Sequence, residues 1–271
     1  MDSIHPSSRQ VAPLVISDPL RSILKEKGNY RLRVASTRED VLDACAMRFQ
    51  IFNLEMGEGL SSSFETGLDQ DEFDDQCHHL LVEYAPLLSK KFRLVGTYRL
   101  QTQETALAGA GFYSAGEFEL QDLPSGFLDE AVELGRACIA AEHRNRSVLL
   151  LLWRGLCAYL DAQDKRYFFG CNSLTSQDTA LGWATYQWLV KEGHARPDFL
   201  VRPRPDFSCG APPDLPEAAA RVKIPPLFAA YMRYGSKICS EPALDREFGT
   251  IDFLTVHDLH AMAPEERARL R

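Results

Sequence analysis

The stretch Ala131 to Leu160, AVELGRACIAAEHRNRSVLLLLWRGLCAYL, constrains the fold more than any other part of the chain. It reads as a strand, a basic turn and a buried helix. The segment Ala131 to Ile139 is short and mostly apolar, and Glu133 and Arg136 put two charges into what should be a core strand. The turn His143 to Arg146 sets cationic side chains at a helix N-terminus, where unpaired backbone N–H groups favour an anion such as a phosphate. Ser147 is the expected N-cap. From Ser147 to Leu160 the helix is apolar nearly all round and must lie against a sheet. Its run Val148 to Trp153 is far shorter than the roughly 20 residues of a membrane span, and Arg154 interrupts it.

A chain of 271 residues that is 45% apolar and 25% charged has the composition of an ordinary soluble globular protein. Its net charge of -8 and pI near 5.4 argue against a nucleic-acid partner, because such binding rests on neutralising phosphates. Seven cysteines are an odd number, widely spaced and mostly in apolar runs, which fits reduced thiols. Neither CxxC nor Cys/His spacing suggests zinc, and no metal is expected. The N-terminal MDSIHPSSRQVAPL lacks the cationic start and apolar region of a signal peptide, so the expectation is a cytoplasmic protein.

Taken in order, residues 1–28 read as a loosely held arm with one weak helical patch around Leu20 to Lys27. Tyr30 to Ala35 alternates as a first strand, and a helix from about Glu39 to Met56 carries Arg48, Phe52 and Glu55 on one face. The loop Gly57 to Gln76 ends in DQDEFDDQ. That run is either a solvated acidic turn or a site where Asp71 and Asp74 pair with an amine. Two strands follow, His79 to Tyr84 and Arg93 to Gln101, the second with Arg99 among apolar neighbours and in want of a carboxylate. The neighbours His78 and His79 face opposite ways in a strand and read as structural.

Gln103 to Gly126, containing GAGFYSAGEFEL, is a long connection rich in glycine and aromatics, a candidate cover for a site or for transient membrane contact. After the central strand and helix come a buried strand, Tyr167 to Ser173, and a helix around Leu181 to Leu189. A proline-rich crossing, a helix from Ile224 to Tyr234, a last strand from Ile251 to Val256 and a charged tail complete the chain. The order predicts an α/β (α+β) fold, a mixed sheet flanked by helices. It is a single domain over 29–258, with a tail at 259–271.

These motifs in combination, RFQIF with Glu55, DEFDD, GTYRL, ELGRACI and HRNRSVLLLLWRG, resemble the GNAT-like acyltransferases that include acyl-homoserine lactone synthases and ornithine-lipid N-acyltransferases. GCNS at Gly170 to Ser173 and the ending PPLFAAYMRYGSKICSEPALDREFGTIDFL look like the ornithine-lipid and glycine-lipid branch. The pyrophosphate loop of ordinary acetyltransferases is glycine-rich, and HRNRSV has no glycine to wrap a coenzyme A closely.

The resemblance implies transfer of a long-chain, 3-hydroxylated fatty acyl group from acyl carrier protein to the α-amine of an amino acid, with ornithine expected. Acyl-coenzyme A is the alternative donor, and no tightly bound cofactor is expected. Glu133 is the expected base, with scaffold pairing to Arg136 or Arg99 as the other reading. Asp71 and Asp74 would hold the acceptor's ammonium groups, and Arg48 or Arg99 its carboxylate, with Phe52 and Arg136 in the same motif set. The donor side would use Cys138 and Ile139 for an oxyanion N–H, and Arg144, Arg146 and Ser147 for the phosphate and the acidic carrier. A separate O-acyltransferase would add a second chain, and peripheral contact with the inner face of the membrane is a further expectation. Rival acceptors are glycine and tyrosine; rival functions are a lactone synthase and a non-catalytic carrier- or lipid-binding module.

Overall fold

The computed structural model describes residues 17–89, 91–213 and 223–270. Helices α1 to α4 are Asp18–Arg21, Arg38–Phe49, Ser63–Thr66 and Gln103–Ala108. Helices α5 to α8 are Arg146–Gln163, Thr179–Lys191, Pro226–Arg233 and Pro264–Arg269. The strands are β1 Leu24–Lys27, β2 Tyr30–Val34, β3 His78–Tyr84, β4 Arg93–Thr102, β5 Ala131–Ile139, β6 Tyr167–Leu174, β7 Lys237–Ile238, β8 Ala243–Asp245 and β9 Thr250–Asp258.

Side-chain alternation along β3 decides the layering. Leu80 and Val82 join the core beneath α5, while Leu81 packs with Ala44 of α2 on the opposite face. Both faces are therefore covered, which is why β3 reads as a continuous apolar run rather than an alternating one. Helix α5 carries the largest share of the core, with Trp153, Tyr159 and Leu160 almost wholly buried. At Gly155 a side-chain carbon would come within 2.6 Å of Leu32, so glycine there allows helix and sheet to approach closely.

One sheet of nine strands runs β1-β2-β3-β4-β5-β6-β9-β7, with β8 also on β9. Every pairing is antiparallel except β5 with β6. That parallel ladder is short. It joins Ala131 to Tyr167, Val132 to Phe168 and Glu133 to Phe169, and then the strands part although both continue. At Gly170, with φ +153°, an added Cβ would lie 2.2 Å from the Leu134 carbonyl oxygen, so the parting point admits only glycine.

Several expectations are corrected. Residues 1–16 lie outside the described residues, but 17–28 are no loose arm: Leu20 and Ile23 enter the main core and β1 pairs with β2. The hairpin closes on Gly28 and Asn29, with Gly28 at φ +61°. At the other end Leu259, Met262 and Leu270 enter the same core, so 259–270 is not a detached tail. The N-cap of α5 is Asn145, whose side chain accepts from Ser147 N at 3.0 Å and Val148 N at 3.1 Å; Ser147 is already inside the helix. Among the described residues no helix is long and apolar enough to cross a membrane.

Candidate active site

Where β5 and β6 part, a cavity of about 180 Å³ opens. Leu134 to Ala137 line it from β5, and Cys171, Asn172 and Ser173 from β6. Glu133, Arg99 and Tyr98 stand at its wall, with Tyr231 and Phe228 of α7 opposite. The hydroxyls of Tyr98 and Tyr231 are hydrogen-bonded to one another, and burial pushes the Tyr98 phenol well up.

A regular strand would send Glu133 and Arg136 to opposite faces. A bulge prevents this. Arg99 faces Gly135 and Thr97 faces Cys138, so β5 carries one residue more than β4 between those pairs. Arg136 takes up the difference at φ +51°, a conformation uncommon for a residue with a side chain, and shares the cavity wall with Glu133.

Glu133 is 6% exposed, and the loop between α4 and β5 fixes both its oxygens. Tyr113 N donates to Oε2 at 3.0 Å, while Ser114 donates its backbone N–H to Oε1 at 2.8 Å and its hydroxyl to the same atom. That loop is braced by Gln76 and Gln101, whose side-chain amides donate to Gly111 O at 2.9 and 3.0 Å. Burial raises the Glu133 carboxyl above its ordinary value, and the donors from Ser114 and Tyr113 only partly offset this. Neither Arg99 nor Arg136 hydrogen-bonds to it, so the expected alternative of simple arginine pairing is not what is found. Phe112 and Phe118 are 8% and 1% exposed, so the loop roofs the site and does not present these rings to a membrane.

Behind the cavity lies a charged network. Arg48, fully buried, makes a two-pronged contact with Asp74 at 2.8 Å on each side and reaches Asp69 at 3.1 Å. Arg99 donates to Asp71 and, at 3.2 Å, to Asp74; Arg136 reaches Asp71 at 3.1 Å and Asp69 at 3.3 Å. Asp71 and Asp74 are thus engaged by arginines rather than open to an acceptor's ammonium, and Arg48 is sealed from a substrate carboxylate. Asp69, the third carboxylate of the network, stands in the same DQDEFDDQ run and escapes notice because only its partners reveal its role. Of the expected acceptor residues, Phe52, Arg99 and Arg136 reach the cavity wall.

On the donor side, Cys138 and Ile139 pair with β4, and the backbone that fronts the cavity is Leu134 to Ala137. Burial pushes the Cys138 thiol up to about 12 and the Cys171 thiol well above its ordinary value, so neither is a ready nucleophile. Arg144 pairs with Glu55, next to the cavity-lining Met56, and donates to Ile139 O at 2.9 Å. Arg146 is exposed. Phe52 and Met56 lie on a π-helical continuation of α2, Gln50–Met56, whose wider turn a 3.6-residue reading of the sequence misses. His78 meets the Tyr159 hydroxyl at 2.8 Å and His79 the Asp74 carbonyl at 3.1 Å, both structural contacts. Among the described residues, the group with metal-ligating geometry is Glu117, Asp245 and Asp252.

The family model described as an acetyltransferase (GNAT) domain matches residues 47–154, which span the charged network, Glu133 and the start of α5. A split mixed sheet with this match defines a GNAT-like acyltransferase fold. The chain is 33% identical over 243 residues to an L-ornithine N(alpha)-acyltransferase of Brucella abortus, covering 86% of each chain. It is 32% identical over 262 residues to the protein of that name from Rhizobium meliloti, covering 89% of this chain and 84% of the relative. The chain belongs to the family of these L-ornithine N(alpha)-acyltransferases. Among solved structures, a CoA-dependent acyl-homoserine lactone synthase with SAM and isopentyl-CoA aligns at TM-score 0.48 and 15% identity, over 88% of this chain and 86% of that one.

Proposed function

We propose that this protein transfers a long-chain, 3-hydroxylated fatty acyl group from the thioester of acyl carrier protein to the α-amine of ornithine. The observation that carries the reading is a buried, hydrogen-bonded carboxylate, Glu133, on the wall of a cleft that opens between two parallel strands. The family relationship supplies the acceptor, since the relatives are named for ornithine.

In this reading the donor's extended arm enters between β5 and β6, and its amides pair with the backbone of Leu134 to Ala137. An N–H in that stretch faces the developing oxyanion. Glu133 takes a proton from the α-ammonium, directly or through one water, and the freed nitrogen attacks the thioester carbonyl. The C–N bond forms, the nitrogen gives up its second proton as the C–S bond breaks, and that proton goes to the departing thiolate, leaving amide and thiol. Arg99 and Arg136 hold the acceptor's carboxylate, Phe52 walls the cleft, and Arg144, Arg146 and Ser147 meet the phosphate of the arm and the acidic carrier. The high cysteine pKa values favour this direct attack over an acyl-cysteine intermediate. The hydroxyl of the acyl chain is left free for a separate O-acyltransferase.

The test is mass spectrometry of products from purified protein with 3-hydroxypalmitoyl and palmitoyl donors, each on carrier protein and on coenzyme A, and a panel of ornithine, lysine, glycine, tyrosine and S-adenosylmethionine. N-acylornithine from the carrier-bound donor is expected. A folded protein that forms no amide from either donor would overturn the reading.

A further inference from the structure

Three buried carboxylates cluster beside the cleft. Glu117, Asp245 and Asp252 are 3%, 5% and 3% exposed, and each brings an oxygen within 4.8 Å of the others. Among the described residues no ion pair includes them, and Glu117 Oε1 and Asp252 Oδ1 have no hydrogen-bond donor. Asp245 is fixed by Glu247 N and Phe248 N at 2.9 Å, and Asp252 accepts from Thr250 Oγ1 at 3.1 Å. Glu117 has only the weak Cys171 thiol as a donor, at 3.8 Å, and it leans on Asp252; carboxylates so sparsely supplied are costly to bury, and a cation placed within this tripod would stabilise all three.

Position says which cation. Asp252 lines the same cavity as Glu133. Ser114, which grips Glu133, and Glu117, which belongs to the tripod, are three residues apart at the ends of the 3₁₀ turn Tyr113–Gly116, with Glu117 N donating to Ser114 O at 3.2 Å. Residues so spaced in a 3₁₀ turn lie on one side of it, so one short turn carries both a contact to Glu133 and a member of the tripod. An acceptor with an amine at Glu133 and a second amine on its side chain would have a carboxylate partner for each.

We propose that Glu117, Asp245 and Asp252 form the receptor for the side-chain ammonium of a diamino-acid acceptor whose α-amine stands at Glu133. This rests on the acyltransferase reading above and deepens it: the tripod selects the acceptor. Three N–H donors meet three carboxylates, while Arg99 and Arg136 face the α-carboxylate. Burial raises Asp252 to about 6, with Asp245 adding to the rise and the hydrogen bonds of Ser173, Glu117 and Thr250 opposing it; burial raises Glu117 well above its ordinary value, with Asp252 and Asp245 adding.

The experiment compares kcat/KM of the full chain for ornithine and for norvaline, which has the same carbon chain without the terminal amine. A preference for ornithine of about 10²-fold or more is expected, since a site built to bond an N–H rejects an analogue lacking it. In Asp252→Asn and Glu117→Gln the ornithine-to-norvaline ratio should collapse towards one, with circular dichroism and thermal unfolding reporting that the variants are folded. Equal wild-type use of the two amines, or equal loss of both in the variants, overturns the tripod while leaving the enzyme intact. Activity abolished by EDTA and restored by calcium or magnesium, in wild type but not in Asp252→Asn, makes the tripod a metal site and overturns the proposal as well. Acylation of neither amine by wild type would instead sink the function on which it rests.

Discussion

Ser114 and Glu133 lie 19 residues apart, yet Ser114 gives Glu133 Oε1 both its backbone N–H, at 2.8 Å, and its hydroxyl. A loop residue thereby sets the orientation and basicity of the central carboxylate. Glu133→Gln keeps the shape and removes the proton acceptor, so kcat should fall about 10²- to 10⁴-fold with KM nearly unchanged. Single-turnover kinetics with saturating donor would check this, and wild-type chemistry in the variant would remove Glu133 from the mechanism.

The pH dependence follows from the direction of the Glu133 shift. Its folded value is raised above 4.5, so the basic form is lost as pH falls through that raised value, and the acid limb of kcat/KM should lie above pH 4.5. Ser114→Ala removes a donor that favours the ionised form and should move the limb further up. A limb that stays in place would mean that another group titrates.

Arg48 predicts a stability effect without touching the cleft. Burial alone would raise Asp74, but Arg48 and Arg99 outweigh it and hold the carboxyl far below its ordinary 3.8. A depressed carboxylate contributes stability above its unfolded value and loses it as pH falls towards the folded one, so acid unfolding should set in below about pH 4. Arg48→Met leaves Asp74 to Arg99 and Asp69 to Arg136 alone, and should cost about 3 kcal/mol in urea unfolding at pH 7. A loss under about 1 kcal/mol would show the network to be idle.

Gly170→Ala tests the parting of the strands. The new Cβ would meet the Leu134 carbonyl oxygen at 2.2 Å, a backbone atom that cannot swing away. Thermal unfolding should drop by several degrees, and the KM for the acyl donor should rise more than that for the acceptor. An unchanged donor KM would argue against donor entry at this point.

Much of this was legible in the sequence because it rests on local chemistry. The boundaries of β5 follow from its apolar run, and Glu133 is visible as a charge with no place in such a run. Asp252 gives the same signal in TIDFL, weaker because a single acid near a strand end is common. The bulge at Arg136 carries no such mark, and it alone brings Arg136 to the side of Glu133. Asp71 and Asp74 stand out in the sequence as an acidic run, but whether a carboxylate faces substrate or a neighbouring arginine depends on long-range packing. Ser114, Glu117 and Tyr231 meet their partners only when distant segments close over the cleft, so nothing at their own positions announces them.

An unpaired strand edge is ordinarily a hazard, since any passing chain can add itself to it. The edges left where β5 and β6 separate lie inside the molecule, between α7 and the loop that carries Ser114. In that position they are shielded from the strands of other chains. The protein thus keeps an adhesive surface in its interior, and the geometry that opens the cleft also guards against edge-to-edge aggregation.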